Sequence, residues 1–148
     1  MLKRVFHPGN YPKNIDLSLL LLRLVAGGFM LTHGMGKFSK LLSGDPIQFA
    51  DPIGIGVTTS LALAVFSEVF CSTFSIFGFA TRLSSIPLII TMLVAAFIVH
   101  ATDGFGKQEL PLLYATVYLI LAVAGAGRIS LDAWLYTVLS ATDKQTAR

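Results

Sequence analysis

Four long apolar runs divide the chain, and each is close to the length that a helix needs to cross a bilayer. The pattern predicts membrane spans at about residues 17–37, 57–79, 86–101 and 110–126. An α-helix rises 1.5 Å per residue and the hydrocarbon core is about 30 Å thick, so runs of this length favour transmembrane helices over strands. The predicted fold is all-α: a single domain over residues 1–148 that forms a four-helix bundle in the membrane.

The segments between the runs are polar. Residues 1–16 and 39–56 contain prolines and glycines at turn spacing, so both are expected outside the bilayer. Turn-forming residues also stand where a signal peptide would have its apolar core, which makes the first run a retained span. After the fourth run we expect a short interfacial helix, whose apolar face carries Leu131, Trp134, Leu135 and Val138.

Composition supports a membrane protein. The chain is 54% hydrophobic and 13% charged, whereas a soluble domain devotes about a quarter of its residues to charge. The net charge of +3 is small and spread along the chain, which argues against a nucleic-acid partner. The single cysteine, Cys71, excludes an internal disulfide and any Cys-rich metal or iron–sulfur site. Lipid is therefore the expected partner of most of the surface.

Lysines and arginines predict the orientation. With both termini on one side, seven basic residues lie there and three on the other, which places the termini in the cytoplasm. The cytoplasmic set comprises Lys3, Arg4, Lys13, Arg82, Arg128, Lys144 and Arg148, and the outer set Lys37, Lys40 and Lys107.

Two ionisable residues lie inside predicted spans, Arg23 in the first and Glu68 in the second. A guanidinium at the bilayer centre costs about 2.5–3.5 kcal/mol on insertion scales, so it needs a partner. Glu68 lies in a stripe of small and polar residues, and we expect it to pair with Arg23 as the candidate catalytic pair. Two alternatives are open: an ion pair that only sets helix register, or an Arg23 side chain that reaches the headgroups and leaves Glu68 alone.

A second set of polar residues is expected at the outer ends of the spans. Two histidines, a lysine and a glutamate converge there, and two tyrosines on one face of the fourth span point to the same cavity. A pocket of this kind suits a small polar or quinone-like headgroup, because its residues donate to carbonyl oxygens and pass protons. The alternative is that they only anchor the helix ends at the interface. The candidate ligand-binding residues are His33, Lys37, His100, Glu109, Tyr114 and Tyr118.

The sequence lacks most of the motifs that bind common redox cofactors. Two histidines at similar depth are the minimum for paired haem ligation, but the chain has no CxxCH segment. It also shows no flavin or iron–sulfur motif, no metal-ligand spacing and no phosphate-binding glycine loop. Quinone is the cofactor that the polar residues fit.

Several segments carry a family resemblance. They are LLLRLVAGGFMLTHGMGKF in the first span, Glu68 with GFATRLS in the second, FIVHATDGFGKQEL before the fourth, and AGAGRISLDAWL after it. Together these resemble the DoxX family of small four-span membrane proteins, related to the large subunit of thiosulfate:quinone oxidoreductase. The resemblance implies quinone-linked redox chemistry, sulfur-compound oxidation or protection against oxidative stress, and membership of larger membrane assemblies in some cases.

Three functions follow as hypotheses for a multi-pass protein of the bacterial inner (plasma) membrane. The first is a quinone-interacting redox subunit, whose own enzymatic activity is undecided. The second is a non-catalytic accessory subunit of a larger membrane complex or homo-oligomer. The third is a small proton-coupled transporter, since intramembrane ionisable groups also relay protons.

Overall fold

The computed structural model of the chain is all-helical, which confirms the predicted class. It describes residues 5–146, with side chains for residues 5–141. The main helices are α1 (Lys13–Leu42), α2 (Val57–Phe77), α3 (Thr81–Val99), α4 (Phe105–Ala124) and α5 (Leu131–Thr146). Lys3, Arg4 and Arg148, which enter the predicted orientation, lie outside the described residues.

Three of the helices, α1, α2 and α3, are long and apolar enough to cross a membrane by length and composition. Within the described residues α4 is not among them. Its first five residues include Lys107, Gln108 and Glu109, and these polar side chains lower its hydropathy. The predicted membrane helices are thus confirmed for three spans, and the fourth span stays a prediction.

Two helices begin earlier than the apolar runs indicate. The structure starts α3 at Thr81 rather than near residue 86, and α4 at Phe105 rather than at residue 110. Each proline, Pro87 and Pro111, therefore lies in the second turn of its helix instead of at its start. Hydropathy misses these first turns because they are polar, yet the backbone is already helical there.

The helices pack around a narrow core. Its buried side chains come from α1 through α4 and include Met30, Cys71, Leu88, Tyr118 and Leu121. Large apolar side chains cover the outward faces: Phe29, Phe77, Phe97 and Val123 are each at least 58% exposed. Contiguous apolar surface of this kind is unusual on a soluble monomer and suits lipid as the surrounding medium.

A short π-helical segment interrupts α2, and another forms the last turn of α3. They span Phe66–Cys71 and Ala95–Val99, and the second is closed by a 3.0 Å bond from the His100 N–H to the Ala95 carbonyl oxygen. A π turn adds one residue to the helical repeat, changes the direction of the side chains beyond it, and is frequent at functional sites. Here the two segments set the directions of Glu68 and His100.

Arg23 contacts the end of α2, whereas Glu68 lies near the middle of that helix and pairs with Lys37, so the predicted Arg23–Glu68 pair is wrong. The Arg23 side chain is fully buried. One terminal nitrogen (Nη1) donates to the carbonyl oxygens of Ser75 (3.3 Å) and Ile76 (3.1 Å), and the other (Nη2) to Ile129 (2.6 Å). The last carbonyls of a helix have no intrahelical partners; Arg23 supplies a donor to Ile76, while Ser75 also accepts the Gly78 N–H at 3.0 Å.

The register of α1 against α2 explains the separation. The helices are antiparallel: Gly27 lies against Ser72 and Ile76, and Gly34 lies against Glu68. Glu68 is seven residues before Ser75, about 10 Å along the helix. Arg23 Nη1 lies beside Gly78, three residues further on, so the guanidinium is directed toward the end of α2 and away from Glu68.

Asp132 completes this end of the bundle. Its carboxylate accepts the N–H groups of Ala80 (2.6 Å) and Thr81 (2.9 Å) and so caps the first turn of α3 from α5. Burial raises the pKa of Asp132, and the bonds from Thr81 and Ala80 oppose that rise. At the C-terminal end of α4 the polarity is reversed: the Arg82 guanidinium donates hydrogen bonds to the carbonyl oxygens of Ala122, Val123 and Ala124.

Candidate functional site

The buried carboxylate of Glu68 is paired with Lys37. Lys37 Nζ donates to Glu68 Oε1, joining α1 to the π-helical segment of α2. The Glu68 side chain is 2% exposed and that of Lys37 is 31% exposed. An ion pair inside a membrane span is costly to bury and marks a functional site by default.

The second oxygen of the same carboxylate is left without a bond. Glu68 Oε2 is buried and has no hydrogen-bond partner among the described residues. An ionised carboxylate accepts on both oxygens, and a buried acceptor without a partner costs free energy. The unpartnered oxygen therefore points to a ligand or an ordered water as its partner.

Two cavities meet at this ion pair. The first, here the polar cavity, has a volume of about 380 Å³, and the second, the apolar cavity, about 320 Å³. Both are lined by Lys37, Glu68, Ala95 and His100. The polar cavity adds His33, Lys107 and Tyr114 from α1 and α4, together with Met30 and Met92. The apolar cavity lies between α2 and α3 and is lined mainly by apolar side chains, including Phe49, Ile53, Leu63, Ile90, Val94 and Val99.

Most of the predicted site residues lie on the polar cavity. The structure brings together His33, Lys37, Glu68, His100 and Tyr114 there. The His33 and Tyr114 rings meet edge to face at 6.1 Å between centroids.

Three predicted site residues lie elsewhere. Arg23 lies at the other end of the bundle, and Glu109 is exposed and outside the cavity lining. Tyr118 is fully buried behind Tyr114; its ring stacks on Tyr114 at 6.4 Å, and its hydroxyl donates to the Ala26 carbonyl oxygen at 3.1 Å. Periodicity placed Tyr118 on the correct face of α4 but not at the correct depth.

Asp103 and Lys107 were missed from the sequence. Asp103 Oδ2 lies 2.8 Å from His100 Nδ1 and 3.5 Å from Lys107 Nζ. The spacings His100-x-x-Asp103 and Asp103-x-x-x-Lys107 are the sequence signal for this cluster, because residues three and four apart can meet on one face of a helical turn. Among the described residues, no group of three or more His, Cys, Asp or Glu side chains is placed to hold a metal ion.

Comparison with known proteins identifies the family. The DoxX family model matches residues 18–101, which include the Lys37–Glu68 pair, both cavity histidines and the two π-helical segments. The chain belongs to the DoxX family. The match ends before α4, so the contribution of Tyr114 to the polar cavity lies outside it.

Three relatives of this DoxX protein come from distant bacteria. An uncharacterized protein of Haemophilus influenzae is 33% identical over 126 residues, covering 78% of this chain and 82% of its own. A Bacillus subtilis protein named "Putative oxidoreductase CatD" is 27% identical, with 84% and 91% covered. An uncharacterized membrane protein of Mycobacterium tuberculosis is 29% identical, with 78% and 79% covered. No solved structure matches the chain.

Close packing at Gly34 holds the DoxX ion pair in register. A Cβ atom at Gly34 would lie 2.8 Å from Val69 Cγ2 and 2.9 Å from the Glu68 carbonyl carbon, whereas one at Gly36 would meet nothing within 4 Å. Because backbone cannot move aside as a side-chain tip does, only Gly34 is required here for close helix contact.

We expect Gly34→Ala to lower the free energy of unfolding by about 1–3 kcal/mol, because overpacking pushes α1 away from the π-helical segment. Gly36→Ala is the matched control and should leave stability unchanged or slightly raised, since alanine favours the helix. SDS-driven unfolding of the detergent-purified protein measures both. Equal effects of the two variants would contradict the close contact.

Proposed function

We propose that this DoxX protein is a redox-associated protein of the bacterial plasma membrane that binds the headgroup of a quinone in the polar cavity. The observation that carries the proposal is the Lys37–Glu68 pair, which lines a cavity of about 380 Å³ and leaves the buried Glu68 Oε2 without a partner. That volume falls within the usual size range of small-molecule sites.

The donors and acceptors of the site match the two states of a quinone. A quinone offers carbonyl oxygens that accept hydrogen bonds, and a quinol offers hydroxyl groups that donate them. Lys37 has three N–H donors, of which Glu68 Oε1 uses one. Glu68 Oε2 is the matching acceptor for a quinol hydroxyl, and His100 lies on the same lining for proton exchange.

The apolar cavity supports a lipid-soluble ligand. It shares Lys37, Glu68 and His100 with the polar cavity, so one molecule can place a polar head on one side and an apolar chain on the other. Isoprenoid tails of quinones have this chemistry. Burial of a chain here gains about 25 cal/mol for each Å² of apolar surface removed from water.

The name of one relative supports a redox role. One relative carries the name of an oxidoreductase. The chain's own residues bind the ligand and move protons, and the two electrons come from a reductant or a partner subunit outside the chain. We place both termini in the cytoplasm on the distribution of lysine and arginine, so that the Lys37 end of the bundle faces outward.

The test is to purify the protein from membranes in mild detergent and to measure extracted quinone per protein by chromatography. We expect near-stoichiometric quinone in the wild type and at least a tenfold loss in Glu68→Gln, because the amide cannot replace both the charge and the acceptor. Asp45→Asn, which neutralises an exposed carboxylate in the loop before α2, is the matched control.

Two results would contradict the proposal. One is a wild-type protein without quinone that still accepts no quinone added in detergent. The other is Glu68→Gln with unchanged quinone content. A quinone-free protein that purifies with a stoichiometric membrane partner would instead favour the accessory-subunit hypothesis.

A further inference from the structure

The turn between α3 and α4 brings a histidine–carboxylate pair to the edge of both cavities. His100 Nδ1 lies 2.8 Å from Asp103 Oδ2, and the two side chains are 33% and 35% exposed. His100 lines the polar and the apolar cavity, while Asp103 lines neither. The pair therefore has a side toward the ligand site and a side toward solvent.

Main-chain contacts hold His100 in this place. Its N–H donates to the Ala95 carbonyl oxygen at 3.0 Å, the bond that closes the π-helical segment of α3. Its own carbonyl oxygen accepts from Gln108 Nε2 at 3.0 Å, which joins it to the first turn of α4. These two contacts fix the backbone of His100 between α3 and α4, and the bond to Asp103 orients its imidazole.

The contact with Asp103 selects the tautomer of the ring. The bond from His100 and the charge of Lys107 hold the pKa of Asp103 below its usual range, so this group is a carboxylate at neutral pH. The contact is therefore complete above the ordinary carboxylate range and is lost as the pH falls through the lowered pKa. A carboxylate only accepts, so Nδ1 carries the proton and Nε2 is the nitrogen that exchanges protons in the neutral ring.

We propose that His100 carries protons between the ligand in the polar cavity and the outer solvent, with Asp103 as its positioning residue. The proposal rests on the proposed function, since the ligand supplies the proton. Neutral His100 takes a proton at Nε2 from a bound quinol hydroxyl, which leaves an imidazolium and a quinol anion. When the ligand leaves, Nε2 releases that proton to water that enters the cavity, and the ring returns to the neutral Nδ1–H form. The step is acid–base chemistry alone, and the electrons stay on the quinol.

Other charged groups face the same imidazole. Lys37 and Glu68 lie across both cavities and largely balance each other, and His33 and Tyr114 lie across the polar cavity. Lys107 shares the Asp103 oxygen at 3.5 Å and opposes a positive charge on the ring. Asp103 and Lys107 therefore bias the protonation of His100 in opposite directions.

Histidine ¹⁵N NMR of the detergent-purified full chain tests the pair, with His7→Gln and His33→Gln to assign the signals. We expect the Nδ1–H tautomer in the wild type and its loss in Asp103→Ala. Asp103→Asn keeps an acceptor and should keep the tautomer. Asp45→Asn should leave it unchanged.

Binding of a short-chain quinol, measured against pH, tests the proton-carrying role. We expect a bend in the plot of the dissociation constant against pH, and we expect Asp103→Ala and Lys107→Gln to move that bend in opposite directions. A bend that stays in place in Asp103→Ala, or a tautomer unaffected by that substitution, overturns this inference and leaves the proposed function standing. A wild-type protein that binds no quinol overturns both.

Discussion

Replacing Lys37 by methionine is expected to destabilise the protein by about 3–5 kcal/mol, a larger cost than that of replacing its partner. The substitution leaves the Glu68 carboxylate, 2% exposed, without any charged neighbour or hydrogen bond to either oxygen. Removing one member of a buried ion pair costs this much because the remaining charge is neither paired nor solvated.

The reverse substitution is expected to cost less, about 1–2 kcal/mol. In Glu68→Gln the remaining charge is on Lys37, whose side chain is already 31% exposed and can turn its ammonium toward water. The double variant Lys37→Met/Glu68→Gln should therefore be more stable than Lys37→Met alone. This order of the three variants is specific to a pair with one buried and one part-exposed member.

SDS-driven unfolding in mixed micelles measures the three variants in one double-mutant cycle. Lys40→Met, one turn further along α1 and exposed, is the control and should change stability by no more than about 0.5 kcal/mol. A double variant less stable than Lys37→Met would contradict the pairing.

The second large effect is expected at Arg23, where substitution by methionine should also cost about 3–5 kcal/mol. Arg23 is fully buried and donates to the carbonyl oxygens of Ser75, Ile76 and Ile129. Methionine matches the length of the stem but removes the donors to Ile76 and Ile129 and the positive charge near Asp132, whereas Ser75 keeps its bond from the Gly78 N–H.

Lysine at the same position should restore only part of this loss. A single ammonium cannot reproduce the planar fork that reaches the end of α2 with one nitrogen and Ile129 with the other. Thermal unfolding in detergent compares Arg23→Met, Arg23→Lys and the control Lys13→Met, an exposed cation at the start of α1. Full stability of Arg23→Lys would show that the charge, rather than the geometry of the cap, is what this end requires.

The partners of Arg23 could not be inferred from the spacing of residues in the sequence. A buried arginine in an apolar run needs a partner, and the sequence offers a carboxylate in the next run. The backbone offers another solution, because the last carbonyls of α2 and the carbonyl of Ile129 are also unpaired acceptors. Residue types alone do not reveal these acceptors, since every residue has a carbonyl.

The sequence predicted the residues of the polar cavity better than it predicted the partners of Arg23. His33, Lys37, His100 and Tyr114 were expected together because they lie near the same ends of successive antiparallel helices, and the structure places them on one cavity. Tyr118 and Glu109 were expected with them and are not on its lining. Helical periodicity places a residue on a face, but it does not distinguish a cavity wall from the core behind it or the surface beside it.

The sequence by itself determined the helical class, the apolar helices and the end of the bundle where the ionisable residues collect, because these depend on the order of polar and apolar residues along the chain. Only the tertiary structure decided which charge Glu68 meets. That choice depends on the register of α1 against α2, on the close contact at Gly34, and on the π-helical turn that directs the carboxylate toward Lys37. Register and helical repeat arise from packing between elements, and no local pattern of residues specifies them.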